Sequence, residues 1–266
     1  MRTKGSVKRQ RGILLLVAVM LLTGCARSDA LWGVVDKLCV VNYQQKRDPA
    51  PCRQVYMAQG KERGFSVIQN PRYPYHFILV PTAPLAGIES AQLLAPGQTD
   101  YFGYAWTMRN FLKSQFTAPV PDDMLGMALN SAYGRSQNQL HIHLTCLRED
   151  VRRQLLAERP YISAQWRPLP DKLLKHTYYA RRVIQPTAMG IYPIPLIAQQ
   201  FHLTPSDLSY YGVALIPTTF DGQAGFIILT TRKDLDPGNR ASVESLLDKR
   251  CELLTGQATS GVSASS

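Results

Sequence analysis

The sequence predicts an α+β fold, an antiparallel sheet with flanking helices that is extended by a C-terminal α+β half. Three observations predict it. Segments of helical spacing and segments of alternating apolar residues are interleaved along 266 residues, without the regular strand–helix alternation of a parallel sheet. Hydrophobic residues make up 45% and charged residues 18%, which supplies a core and argues against disorder. No apolar run reaches the roughly 18–20 residues of a bilayer-spanning helix, which excludes a polytopic membrane protein.

The elements follow in order. Leu31, Trp32, Val34, Val35, Leu38 and Val41 fall at helical spacing and predict a helix over 31–45. Residues 54–58 and 65–69 flank Gly60 and Gly64 and read as a hairpin. His76–Thr82 (HFILVPT) is a short, nearly continuous apolar strand. Tyr101, Ala105, Met108, Leu112 and Phe116 predict a helix over 98–116. Residues 124–130 and 139–147 read as paired strands, and 149–158 as a charged helix. After Pro160 come a strand over 175–184, a helix over 194–202, and two strands, 210–218 and 225–231, joined across Asp221-Gly222. A final helix is expected over 236–254, with Pro237 in its first turn. Residues 256–266 are small and polar and are expected to form a disordered tail.

Residues 1–24 hold five basic residues and no acid, followed at Ile13–Leu22 by a ten-residue apolar run. This is the layout of a secretory leader. Leu22-Thr23-Gly24-Cys25 resembles the lipobox of bacterial lipoproteins, which implies lipidation of Cys25; an uncleaved signal anchor is the alternative. Removing that leader from the net charge of +11 leaves +6 for the rest. Such an excess suits an anionic ligand or membrane surface and does not demand nucleic acid. The other four cysteines, Cys39, Cys52, Cys146 and Cys251, suggest two disulfides in an oxidising compartment. Of three connectivities, Cys39–Cys52 with Cys146–Cys251 is preferred, because the first pair closes a short loop; buried free thiols are the alternative.

The chemistry is concentrated in Gln139-Leu140-His141-Ile142-His143-Leu144-Thr145-Cys146-Leu147. Its alternation predicts a half-buried strand, with Gln139, His141, His143 and Thr145 on the outer face, about 6.6 Å between every second residue. Arg135 lies in the polar loop just before it, placed to offer a fixed charge to a phosphate.

His141-Ile142-His143-Leu144-Thr145-Cys146-Leu147 is similar to the histidine-triad signature His-φ-His-φ-His-φ-φ, with φ apolar and Thr145 in the third histidine's place. Asn130, the Gly134 loop and Gln137 match the approach to that motif. Three segments resemble the CDP-diacylglycerol pyrophosphatase family more narrowly: Gly134-Arg135-Ser136-Gln137 with the His pair, Gly87-Ile88-Glu89-Ser90, and Glu244-Ser245-Leu246-Leu247-Asp248 with Cys251. The resemblance runs from about Leu31 to Leu254. It implies a HIT-like sheet forming one domain over 31–255, and hydrolysis of CDP-diacylglycerol to CMP and phosphatidate through a nucleotidyl-histidine. It implies His143 as nucleophile, with His141, Asn130, Ser136, Gln137 and Thr145 at the phosphoryl oxygens and Arg135 as a charge clamp. A second register, in which Gln139 takes the first place, would make His141 the nucleophile.

No metal or other cofactor is expected. The implied partners are CDP-diacylglycerol and membrane phospholipid, with no nucleic acid and no obligate protein partner. The expected location is the periplasmic side of the bacterial inner membrane, held by lipidated Cys25 or a single N-terminal anchor. Two rival readings remain: a metal-dependent phosphohydrolase using the His-x-His pair with His76 or His176, and a non-catalytic lipoprotein that binds a phosphorylated ligand.

Overall fold

The structure is a computed structural model that describes residues 29–256. The leader, Cys25 and the tail beyond residue 256 lie outside the described residues. Among the described residues, ten strands form one antiparallel sheet: β1 (Gln54–Tyr56), β2 (Phe65–Gln69), β3 (Phe77–Pro81), β4 (Leu125–Leu129), β5 (Ile142–Leu147), β6 (Arg167–Pro168), β7 (Tyr179–Ile184), β8 (Tyr211–Phe220), β9 (Gln223–Arg232) and β10 (Leu247–Asp248). The spatial order is β1-β2-β3-β5-β4-β8-β9-β7-β6, and β10 pairs with β5. The architecture is therefore α+β, as the interleaved periodicities require.

The longest pair shows how local chemistry sets register. β8 and β9 pair without a break from Tyr211↔Arg232 to Phe220↔Gln223. Asp221 and Gly222 between them both have positive φ, 49° and 79°. A two-residue loop of that kind matches the right-handed twist of its strands. Alternate residues then serve opposite faces. Val213 and Leu215 join a core with Phe77, Met127 and Ile142 on one side. Ala214 and Ile216 join a second core with Val151, Leu155 and Leu246 on the other. Helices cover the first face with Tyr101–Thr107 and Pro193–Phe201, and the second with Glu149–Glu158.

The first helix runs over 30–46 with one wider π turn at Val35–Cys39. It buries Val35 and Val40 against Val80. Disulfides join Cys39 to Cys52 and Cys146 to Cys251, the preferred connectivity, so none of the four is a free thiol. The helix expected over 98–116 divides into Tyr101–Thr107 and Arg109–Lys113. The strand expected over 175–184 starts only at Tyr179, because Leu174 and Lys175 turn the chain with positive φ.

Two expectations are overturned. The face carrying His143 is not an outer face: all six residues of β5 are buried. The helix expected over 236–254 is absent as well. That stretch is a 3₁₀ turn (Val243–Leu246), the short strand β10 and a last turn of helix (Glu252–Thr255). Its apolar residues do recur at helical spacing, but tertiary partners claim the backbone instead. Leu247 and Asp248 pair with Leu147 and Cys146, and Cys251 is bridged with φ of 53°. This segment covers the face that the sequence left open.

Candidate active site

β5 lies between β3 and β4, so His143 sits opposite Ile78 on one side and Ala128 on the other. The residue before β3 is His76. That pairing carries the His76 ring to His143, with Nε2 of His76 2.8 Å from Nδ1 of His143. His141 stands just before β5 and meets the His143 ring edge-on, 4.9 Å between centroids. The chain entering β5 is pinned by Gln139. Its buried amide donates to the carbonyls of Pro81 and Ala83 at 3.2 and 2.8 Å. The Gln139 carbonyl in turn accepts the Nδ1–H of His141 at 2.6 Å, which leaves the lone pair of His141 on Nε2.

A second chain of contacts fixes His76. Asn70 uses Oδ1 to accept the Arg72 N–H at 2.9 Å and turns Nδ2 to His76 Nδ1 at 3.1 Å. In this arrangement Asn70 donates to His76, His76 donates from Nε2 to His143, and the His143 proton sits on Nε2. That nitrogen is buried without a hydrogen-bond partner among the described residues and faces Glu244 Oε2 at 3.4 Å.

All three imidazoles are held neutral. Burial pushes His143 well below its ordinary value, and the neighbouring His141, His76 and Lys249 add to the shift. Burial also lowers His76, to about 3, with Lys249 and His141 contributing. His141 is lowered by burial, partly offset by its bond to the Gln139 carbonyl. The three rings do not converge on one point, since His76 and His143 are engaged with each other. Among the described residues, no group of three or more His, Cys, Asp or Glu side chains is placed to hold a metal ion.

The C-terminal segment closes the site. The Glu244 N–H donates to Asn130 Oδ1 at 3.0 Å, and its carboxylate accepts from Lys249 Nζ at 2.8 Å. Asn130 Nδ2 is buried with no partner among the described residues, a donor aimed at something the protein does not supply. Buried neutral imidazoles, an unsatisfied amide donor and one lysine are groups able to bind an anion, and a neutral imidazole is able to act as a nucleophile. The sequence profile described as CDP-diacylglycerol pyrophosphatase matches residues 26–255. The chain belongs to the CDP-diacylglycerol pyrophosphatase family.

A Yersinia pestis relative named CDP-diacylglycerol pyrophosphatase is 34% identical over 256 residues, covering 94% of this chain and 96% of its own. A solved structure of a DUF4931 family protein from Bacillus cereus shares 10% identity, covers 77% of this chain and 97% of its own, and superposes with a TM-score of 0.39.

As a member of the CDP-diacylglycerol pyrophosphatase family, the chain is a hydrolase, and its other expected site residues can be placed. Thr145 is fully buried and donates to the Asp248 carbonyl at 3.1 Å, so it anchors the covering segment. Arg135 makes two 2.7 Å contacts to Glu89 while lying close enough to depress His141. Two of the resembling segments thus meet each other. Gly87 lies so near the Arg135 guanidinium that a Cβ there would stand 2.1 Å from Nη1. Gln137 accepts the Leu31 N–H at 2.9 Å, and Ser136 is exposed. Asn70, His76, Glu244 and Lys249 were not singled out for these contacts. His76 opens an apolar strand and was named only as a possible third ligand in the metal reading; Glu244 was visible only inside a resembling segment.

Proposed function

We propose that the chain hydrolyses CDP-diacylglycerol to CMP and phosphatidate through a cytidylyl group carried on His143. The observation that carries this reading is the state of His143: neutral, buried, with Nδ1 held by His76 and Nε2 left without a hydrogen-bond partner among the described residues, facing Glu244. A neutral imidazole is a competent nucleophile at pH 7 without a separate base.

Attack through Nε2 takes the tautomer with the proton on Nδ1, donated to His76 Nε2. His76 then carries its proton on Nδ1, and the Asn70 amide turns over so that Oδ1 accepts it, giving up the Arg72 N–H contact of the resting arrangement. The Nε2 lone pair bonds to the phosphorus bearing cytidine. The bond from that phosphorus to the bridging oxygen breaks, and its electron pair leaves with phosphatidate. A phosphate leaving group, with a second pKa of about 6, needs little protonation. Water then adds to the phosphorus and releases a proton, the N–P pair returns to His143, and CMP leaves. Asn130 Nδ2 donates to a phosphoryl oxygen, and His141 joins it once its Nε2 takes a proton, since in the neutral ring that nitrogen carries a lone pair. Membrane phospholipid surrounds this substrate, which fits anchoring on the periplasmic side of the inner membrane through lipidated Cys25 or an N-terminal anchor. Intact-mass measurement of the membrane fraction tests the anchor: a chain that begins at Met1 without acyl mass excludes lipidation.

The test of the reaction is a quenched incubation with CDP-diacylglycerol labelled in the cytidine. Label should appear on His143 in an acid-labile, alkali-stable bond, and His143→Ala should lose it along with CMP release. Label on His141 would reassign the nucleophile to the second register. Full inhibition by a chelator with rescue by zinc, or wild-type turnover in His143→Ala, would overturn the mechanism.

A further inference from the structure

In the resembling triad motif a third histidine follows His143 by two residues, and here that place holds Thr145. Its hydroxyl is spent on the Asp248 carbonyl. The same contact, with the β5–β10 pairing and the Cys146–Cys251 bridge on either side of it, locks down the turn that carries Lys249. Lys249 Nζ reaches 2.8 Å from Glu244 Oε2, and that same oxygen stands 3.4 Å from His143 Nε2, the nitrogen that attacks. The Glu244 carboxylate thus lies on the side of Nε2 where a phosphorus must arrive. Beyond it, Lys249 borders an open cleft of about 540 Å³ that also reaches Tyr73, Arg148 and Arg250.

We propose that Glu244 and Lys249 together replace the missing third histidine and divide the two half-reactions between them. This rests on the nucleotidyl-histidine reading above. When the diphosphate enters, its charge draws Lys249 off Glu244. The ammonium binds the phosphate of the departing phosphatidate and offsets the charge that collects on the bridging oxygen as its bond breaks. After departure the in-line position is vacated. A water enters there, Glu244 takes one of its protons, and the oxygen bonds to phosphorus as the N–P bond breaks. Glu244 then returns that proton to solvent and closes again on Lys249. The positive group serves the step that expels an anion, and the negative group serves the step that needs a base.

The two roles separate in a quenched-flow experiment with cytidine-labelled CDP-diacylglycerol and full-length protein. Lys249→Met should slow the appearance of label on His143 by about 10²-fold, and Lys249→Arg should restore most of it. Glu244→Gln should label His143 at nearly the wild-type rate, yet release CMP at least about 10²-fold more slowly, so that labelled enzyme accumulates. A wild-type burst in Lys249→Met, or wild-type CMP release in Glu244→Gln, overturns the division of labour while leaving the nucleophile in place. Failure of wild-type protein to label His143 is a different result: it defeats the covalent reading itself, and this proposal with it.

Discussion

His76 Nε2 stands 2.8 Å from His143 Nδ1, so another imidazole, and not a carboxylate, holds the back of the proposed nucleophile. A carboxylate there would raise the basicity of His143 and favour imidazolium. A neutral ring holds the orientation in either tautomer while burial keeps both rings uncharged. His76 is on this account a positioning residue, and its removal should act on turnover. We expect His76→Ala to lower kcat about 10²–10⁴-fold with KM within a few-fold, the size of effect that follows when the group orienting a catalytic imidazole is lost. His76→Gln, which keeps an acceptor near Nδ1, should recover part of the loss. Steady-state kinetics on CDP-diacylglycerol decides it, and an unchanged kcat in His76→Ala refutes it.

The same burial makes a prediction about acid. An unfolded histidine titrates near 6.5, whereas folded His76 is pushed down to about 3 and His141 and His143 are also lowered. Below pH 6.5 the unfolded chain therefore binds more protons than the folded one. The stability these rings contribute is complete above that pH and is lost as pH falls from 6.5 toward 3, at up to about 1.4 kcal/mol per pH unit for each ring. Tm should be flat above pH 7 and fall below 6, and His76→Asn should flatten the slope. The acid limb of kcat/KM should likewise lie well below 6.5; a limb at 6.5 or above would mean that His143 is not held neutral.

Much of this was legible in the sequence where local pattern and tertiary demand agree. The Asp221-Gly222 turn, the strands beside it and the charged helix at Glu149–Glu158 stand where periodicity puts them. Asn130, His141 and His143 were visible as a motif. The covering segment was not. Val243, Leu246, Leu247 and Leu254 mimic a helical stripe, yet the backbone between them bends to reach Asn130, β5 and the Cys146 bridge. Long-range contacts decide such a stretch, and no local propensity reports them. The His76–His143 hydrogen bond escaped for a related reason: 67 residues separate the two, and the β3–β5 pairing joins them.

The two disulfides should differ in what they protect. Cys39–Cys52 spans 13 residues and Cys146–Cys251 spans 105. Loop entropy gives about 3 kcal/mol for the first and about 5 kcal/mol for the second. Only the second ties down the segment that carries Glu244 and Lys249. We expect Cys39→Ser/Cys52→Ser to lower Tm while keeping turnover at temperatures where the protein is folded. Cys146→Ser/Cys251→Ser should lower Tm further and lose turnover under the same conditions. Denaturation curves with parallel assays below both midpoints check this; full turnover in folded Cys146→Ser/Cys251→Ser would show that the covering segment holds its place without the bridge.

Asn130 offers the sharpest test of the proposed phosphate site. Its Oδ1 is occupied by the Glu244 N–H at 3.0 Å, which fixes the amide so that Nδ2 alone is left over. Nδ2 is buried with no partner among the described residues, and a buried donor left unsatisfied costs about 1–3 kcal/mol. On the proposed reading a phosphoryl oxygen would remove that cost on binding, so part of the affinity for a nucleotide would come from a penalty already present in the fold. Asn130→Asp keeps the acceptor for Glu244 but puts a carboxylate oxygen where the donor was. It should preserve the fold, weaken CMP binding at least about 10-fold and lower kcat/KM about 10²-fold or more, since like charges meet at the phosphate. Asn130→Ala removes both roles and should loosen the covering segment as well, lowering Tm where Asn130→Asp does not. Calorimetric titration with CMP, read beside thermal melts of both variants, separates the two effects. If Asn130→Asp binds CMP as wild type does, Nδ2 does not face the phosphate.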